Sequence, residues 1–385
     1  MRKHEARFLL MSCLECKDQV VDLAQKLLAI PSVYPDTKVV IEYIEQLLRE
    51  YGFATKIFPV NNCYNLYAQF GNDEKIIGFA GHVDVVPAGM GWSHDPFEPV
   101  EINGKIYGRG AVDMKGAIAA WIVAALKIIK ENPNKSIALI IAGDEEVSNN
   151  AGTLTILHWL QDHNKQIELV IVGEPTNPNK MGEMLKIGRR GSISFDLIIK
   201  GMQGHVAYPD QADNPFKYVG GIINNLNAWQ IDQGNEHFDP SNLEITSLYT
   251  DNQSYNVIPR EVNLKFNIRY NNNIDEETLI SIVRQLVSSV VGDNYSLEYN
   301  NSAQPFITNN QQQVEFVTSI LKEINSIAPI ASTTGGTSDA RFIAKFYPVI
   351  EYGLINQTAH KVDEWVGVDD LINLTHSYYR IMQDF

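Results

Sequence analysis

Residues 75–84 read Lys-Ile-Ile-Gly-Phe-Ala-Gly-His-Val-Asp: an apolar run of strand length, a glycine, then a histidine and an aspartate two positions apart. The same figure returns at 136–146, Ser-Ile-Ala-Leu-Ile-Ile-Ala-Gly-Asp-Glu-Glu, and at 168–175, Glu-Leu-Val-Ile-Val-Gly-Glu-Pro. Short apolar runs bounded by glycine are the mark of strands buried on both faces. Between and around them lie helical patterns. Gly116 to Lys130 is apolar nearly all round, and Leu154 to Leu160 follows the second strand. Further out, Thr37 to Tyr51 is an amphipathic helix closed by Gly52, and Ala54 to Phe58 alternates like a strand. Pro348 to Tyr352 reads as a late strand and Asp369 to Met382 as the last helix. This alternation predicts an α/β fold with a mixed sheet covered by helices.

Between about Arg190 and Pro305 the texture changes. Ser194 to Lys200 and Val262 to Tyr270 alternate polar and apolar residues, and helices are expected near Pro215 to Trp229 and Glu276 to Val290. Strands wet on one face with helices on the other predict a small α+β domain inserted into the first, which resumes near Pro305. A length of 385 residues agrees with two domains. No internal repeat or low-complexity tract is visible.

The formal charge of −15, from 46 acidic against 31 basic residues, argues against nucleic acid or an anionic membrane as partner. An anionic small molecule would need arginines gathered locally. No apolar run reaches the roughly 20 residues of a membrane span. Three cysteines, Cys13, Cys16 and Cys63, make no disulfide framework and fit a reducing cytoplasm. The Cys13 to Cys16 spacing is half a zinc knuckle without its second pair, so ordinary thiols are expected. Phe8 to Met11 is too short an apolar core for a secretion signal, and Met11 is a plausible natural start because helical periodicity begins after it.

In open α/β sheets ligands bind beyond the carboxyl ends of the strands, so His82, Asp84, Glu145, Glu146 and Glu174 are expected on one crevice. Asp113, ahead of the buried helix, and His360, after the Pro348 strand, join them from loops. Nitrogen and oxygen donors without thiolates suit catalytic Zn²⁺, with Co²⁺ or Mn²⁺ as substitutes. The donors outnumber the three protein ligands of a single catalytic zinc. Two ions would use His82 and Glu174 on one, Glu146 and His360 on the other, with Asp113 bridging. Asp84 is expected to receive the second N–H of His82, and Glu145, turned away from its neighbour, to serve as the base. Taken singly, His82 would suit a core histidine, Asp113 a helix cap and Glu174 a turn. Their combination in one chain favours a metal site.

These motifs, Gly81-His82-Val83-Asp84-Val85-Val86-Pro87, Tyr107-Gly108-Arg109-Gly110, Asp113-Met114-Lys115-Gly116, Asp144-Glu145-Glu146 and Gly173-Glu174-Pro175, resemble those of the di-zinc peptidase and deacylase family. The resemblance runs from about Met11 to the C-terminus. Gly188-Arg189-Arg190-Gly191-Ser192, Gln203 to Pro209, Asn256-Val257-Ile258-Pro259 and Gly335 to Asp339 bring it closer to succinyl-removing members than to those acting on N-acetylornithine. It implies a catalytic domain of residues 11–190 and 304–385, and a lid and dimerisation domain of 191–303.

It further implies two Zn²⁺ per subunit, a cytoplasmic homodimer, and a small anionic N-acyl amino acid, N-succinyl-L,L-diaminopimelate, hydrolysed toward lysine. Arg189, Arg190, Ser192, Tyr208, Asn256, Arg269, Gly336 and Thr337 would contact substrate, the arginines because their planar forks fit carboxylates. His205 would reach the partner's site and help hold the oxyanion. The chain departs from the usual pattern at Ala340 and Gly143, and residues 1–10 have no counterpart. A related deacylase or peptidase, and a metal-binding protein without catalysis, are the competing readings; the second needs a broken site, and no ligand is missing here.

Overall fold

The computed structural model describes residues 17–72, 75–147, 151–308 and 310–385. Met11, Cys13 and Cys16 lie outside the described residues. The chain divides into two compact units, one running to Ile187 and including Thr308–Ser332 and Ser338–Phe385, the other Gly188–Ile307 with Thr333–Thr337.

In the first unit, strand Ile76–His82 lies between Ile137–Ala142 and Ile167–Val172, parallel to both. Val349–Glu351 continues the parallel set beyond Ile167–Val172. Cys63–Phe70 and Ala54–Val60 add antiparallel strands at one side, and Met184–Lys186 and Ile330–Ser332 complete the other. These eight strands form one mixed sheet among the described residues. Register places the donors: His82 pairs with Ala142, and Ala80 with Val172. The three glycine-led segments therefore leave the sheet at the same carboxyl edge.

Helix Lys115–Glu131 is buried on nearly every side, as its composition predicts. Its Trp121 stacks on Phe79 of the central strand with ring centroids 5.0 Å apart, and Tyr378 of helix Val368–Asp384 meets Trp121 edge-on at 5.1 Å. Aromatic pairs of this kind add about 0.5–1.5 kcal/mol beyond area burial. Cys63 is a buried free thiol, pushed up to about 11 chiefly by burial. Among the described residues no helix is long and apolar enough to cross a membrane.

The second unit is a four-stranded antiparallel sheet, ordered Asn242–Tyr249, Glu261–Tyr270, Gly191–Lys200, Tyr295–Ala303. Alternate residues Val262, Leu264, Phe266 and Ile268 and their partners Ile193, Phe195, Leu197 and Ile199 are buried under helices Phe216–Ala228 and Glu276–Val291. The expected limits of 191 and 303 fall just inside those observed. Thr333–Thr337, expected with the catalytic domain, goes instead with the second unit. The reason is local: Arg189 Nη1 donates to the Gly336 carbonyl at 3.1 Å, and the Thr333 hydroxyl to that of His237.

Candidate active site

The glycines before His82 and Glu174 make room for the loop that carries Asp113. A Cβ on Gly81 would lie 2.5 Å from Met114 Cε, and one on Gly173 2.8 Å from the same atom. Met114 tucks under the strand ends there, and helix Lys115–Glu131 starts without a side-chain cap. Asp113 is thus free to turn its carboxylate to the histidines. Its Oδ1 lies 3.2 Å from Nε2 of buried His82, and its Oδ2 3.2 Å from Nε2 of half-exposed His360. Each oxygen of one carboxylate faces a different imidazole.

Glu174 Oε1 lies 3.7 Å from His82 Nε2, and Glu146 Oε1 lies 2.8 Å from His360 Nε2. Two sets of potential ligand atoms lie within 4.8 Å of one another: His82, Glu145 and Glu174, and His82, Asp113 and Glu146. Glu145 and Glu146 lie in the turn that follows strand Ile137–Ala142, and each falls in one of these two sets. Asp84 behaves differently from expectation. His82 Nδ1 is 2.9 Å from the main-chain oxygen of Asp84 and 3.5 Å from its carboxylate. That carboxylate accepts the N–H groups of Glu145 at 3.1 Å and Glu146 at 2.9 Å, so it orients the Asp-Glu-Glu loop as well as the histidine.

The electrostatics reflect crowding. Burial opposes charge on His82, but Asp113, Asp84 and Glu145 outweigh it and hold its pKa well above the usual value. Hydrogen bonding to Asp113 and Glu146 lifts His360 to about 10. Burial, with Glu174, Asp339 and Glu146 nearby, pushes Glu145 well above the ordinary carboxylate range against the pull of His82. Asp113 is lowered, because the two histidines overcome its burial. A buried excess of carboxylates interleaved with imidazoles is the donor set that a divalent cation neutralises, and the residues present fit one.

Residues 78–384 match the model of peptidase family M20/M25/M40. The chain belongs to that family. M20 relatives include a succinyl-diaminopimelate desuccinylase from Rickettsia bellii, 43% identical over 94% of this chain and 95% of its own. One of the same name from Ehrlichia chaffeensis is 42% identical over 95% and 97%. A dinuclear metal-binding M20 peptidase from Bacillus subtilis has the same fold, with TM-score 0.70, 13% identity and cover of 96% and 98%.

The residues expected to bind substrate, and His205, lie in the second unit of this M20 chain, toward the two ends of its sheet. Arg190, Ser192 and Arg269 sit together at one end of its sheet: Ser192 pairs with Arg269, and Arg190 Nη1 donates to Asn242, the other partner of Arg269. Burial and the charge of Arg190 both lower the pKa of Arg269. Arg189, Gly336 and Thr337 belong with the Thr333–Thr337 segment; a Cβ on Gly335 would lie 2.5 Å from Arg189 Nη1. His205, Tyr208 and Asn256 lie past the opposite end. His205 pairs with Val257, the Val206 N–H meets the Asn256 carbonyl at 3.2 Å, and the His205 and Tyr208 rings are 5.6 Å apart. Strand Glu261–Tyr270 separates the groups, roughly 30 Å at about 3.3 Å per residue. Within one chain, Asn256 and Tyr208 therefore lie far from Arg190 and Arg269.

Sequence reasoning missed Glu364. Its wholly buried carboxylate accepts from Arg109 and from the main chain of the Asp113 loop. Arg109 enters the sequence reading only as part of a motif; it also stacks over Trp92 at 5.1 Å. The sole hint was an acidic residue four positions after His360.

Proposed function

We propose that this chain hydrolyses N-succinyl-L,L-diaminopimelate to succinate and L,L-diaminopimelate, as a cytoplasmic homodimer with two Zn²⁺ per subunit, Co²⁺ or Mn²⁺ substituting. The observation that carries the reading is Asp113 held between His82 and His360 with Glu145 beside them. The names of the relatives at 42–43% identity supply the substrate.

His82 and Glu174 would hold one cation, Glu146 and His360 the other, and Asp113 both. Bound there, the pair would lower the pKa of a water and polarise the amide carbonyl. Glu145, whose burial raises its affinity for a proton, takes the proton of the attacking water and returns it to the leaving amine. Asp84 holds Glu145 and Glu146 through their main-chain N–H groups. Arg190 and Arg269, like charges brought together, supply the cationic surface that the substrate's carboxylates require. The distance between the two groups of the second unit supports a dimer in which His205 and Asn256 serve the active site of another copy.

The test is succinate release by metal-free protein reloaded with measured zinc equivalents, with N-acetylornithine run in parallel. Zinc-dependent release with strong preference for the succinyl compound is expected. Preference for the acetyl compound would overturn the substrate but keep the chemistry, and inactivity on both at every loading would sink the reading.

A further inference from the structure

The loop carrying Asp113 and the turn segment carrying His360 meet on one buried carboxylate. Glu364 Oε1 accepts the N–H of Val112 at 2.8 Å and of Asp113 at 3.1 Å. Its Oε2 accepts the N–H of Gly110 at 3.1 Å and Arg109 Nη1 at 2.8 Å. A carboxylate offers about four lone-pair sites, so this one is saturated by a single loop, and one donor is the main chain of the bridging residue itself. Arg109 ties back to that segment, donating to the Lys361 carbonyl at 3.2 Å.

The segment is fixed at other points too. The Thr358 hydroxyl donates to the Trp365 carbonyl at 2.7 Å and accepts that residue's N–H at 3.3 Å. Ser93 donates its N–H and hydroxyl to Asp363 at 2.8 and 2.9 Å. His360 itself has φ of +61°, a backbone conformation that a side-chain-bearing residue keeps only where its surroundings hold it. His82 and Glu174 need no such support, since they come directly off paired strands.

We infer that Glu364 is a positioning residue: it sets the spacing between Asp113 and His360, and through it the geometry of the cation shared by Asp113, Glu146 and His360. The cation held on the His82 and Glu174 side is much less dependent on it. The inference rests on the proposed two-cation site. In Glu364→Gln one oxygen becomes an NH₂ that faces two N–H donors whichever way the amide turns, leaving them unpaired. Glu364→Asp keeps the charge but withdraws the carboxylate by one methylene.

The experiment titrates Co²⁺ into metal-free parent and both variants, tracking heat, visible d–d absorption and circular dichroism. The first equivalent should bind within about threefold of the parent, and the second should weaken by about tenfold or more with an altered d–d band. If Glu364→Gln does not fold, Glu364→Asp decides. A folded variant that takes up both equivalents like the parent overturns the inference, as does equal loss of both. Failure of both variants to fold also overturns it, by making Glu364 a requirement of the fold. A parent that binds one equivalent overturns the two-cation reading itself, which is a distinct outcome.

Discussion

The buried carboxylate of Asp84 accepts the main-chain N–H of Glu146 at 2.9 Å. Its other oxygen takes the N–H of Glu145, so one side chain aims both carboxylates of the loop. Asp84→Asn replaces one of these acceptors by a donor. Activity or metal affinity should fall about 10–100-fold with the fold kept. Turnover and metal content measured on the same folded preparation check this; parental values for both would sink the role.

Glu145→Gln should lower kcat about 10²–10⁴-fold, the usual worth of a positioned base. Because Glu145 also lies within ligand range of His82 and Glu174, metal content must be read alongside. Lost turnover with both cations retained supports the base; loss of one equivalent would make it a ligand instead.

Metal-free protein should lose stability as pH rises. His360 is held at about 10 in the folded chain, against about 6.5 when unfolded. The folded state binds this proton more tightly, so the contribution is complete below pH ~6.5 and disappears as pH climbs through ~10. His82, also raised, acts in the same direction. The half-exposed position of His360 keeps its share small. A cation must displace these protons, so zinc loading at pH 8 in weak buffer should release acid. Melting temperature against pH, with and without zinc, measures the first effect; a flat metal-free profile would contradict charged histidines.

If His205 serves the other copy's active site, two inactive variants should rescue each other. His205→Ala and Glu145→Gln homodimers lack one group at every site. After subunit exchange at equal amounts, half the dimers are mixed and each has one intact site, giving about a quarter of parental activity. Activity no greater than the mean of the two separate variants would place His205 in its own subunit or outside the chemistry.

The central strands and the donor side chains that follow them were legible because the signal is local: an apolar run, a glycine, a donor. Strand Cys63–Phe70 escaped because polar residues interrupt it. Asn65 is wholly buried, yet its amide donates to the Phe58 carbonyl and its oxygen accepts the Gly143 N–H, a satisfaction that composition cannot reveal. Helix Gln311–Asn325 opens on three glutamines and reads as a loop at that end. Glu364 sits between Asp363 and Trp365, where an exposed turn is the ordinary reading, and its donors lie far back in the chain. The separation of His205 and Asn256 from Arg190 and Arg269 needed strand register, because motif order says nothing of which end of a sheet a residue occupies.

The chain crosses between its units four times, at Ile187, Ile307, Ser332 and Thr337, and the segment enclosed by the last two crossings is kept with Arg189. The insert is therefore not a cassette with two ends. A chimera that exchanged 188–307 with a relative would leave Thr333–Thr337 from one parent facing an arginine from the other. Recombination within such a lineage is freest where both pieces travel together, so a specificity change imported with the insert has to bring a distant stretch of the C-terminal region with it.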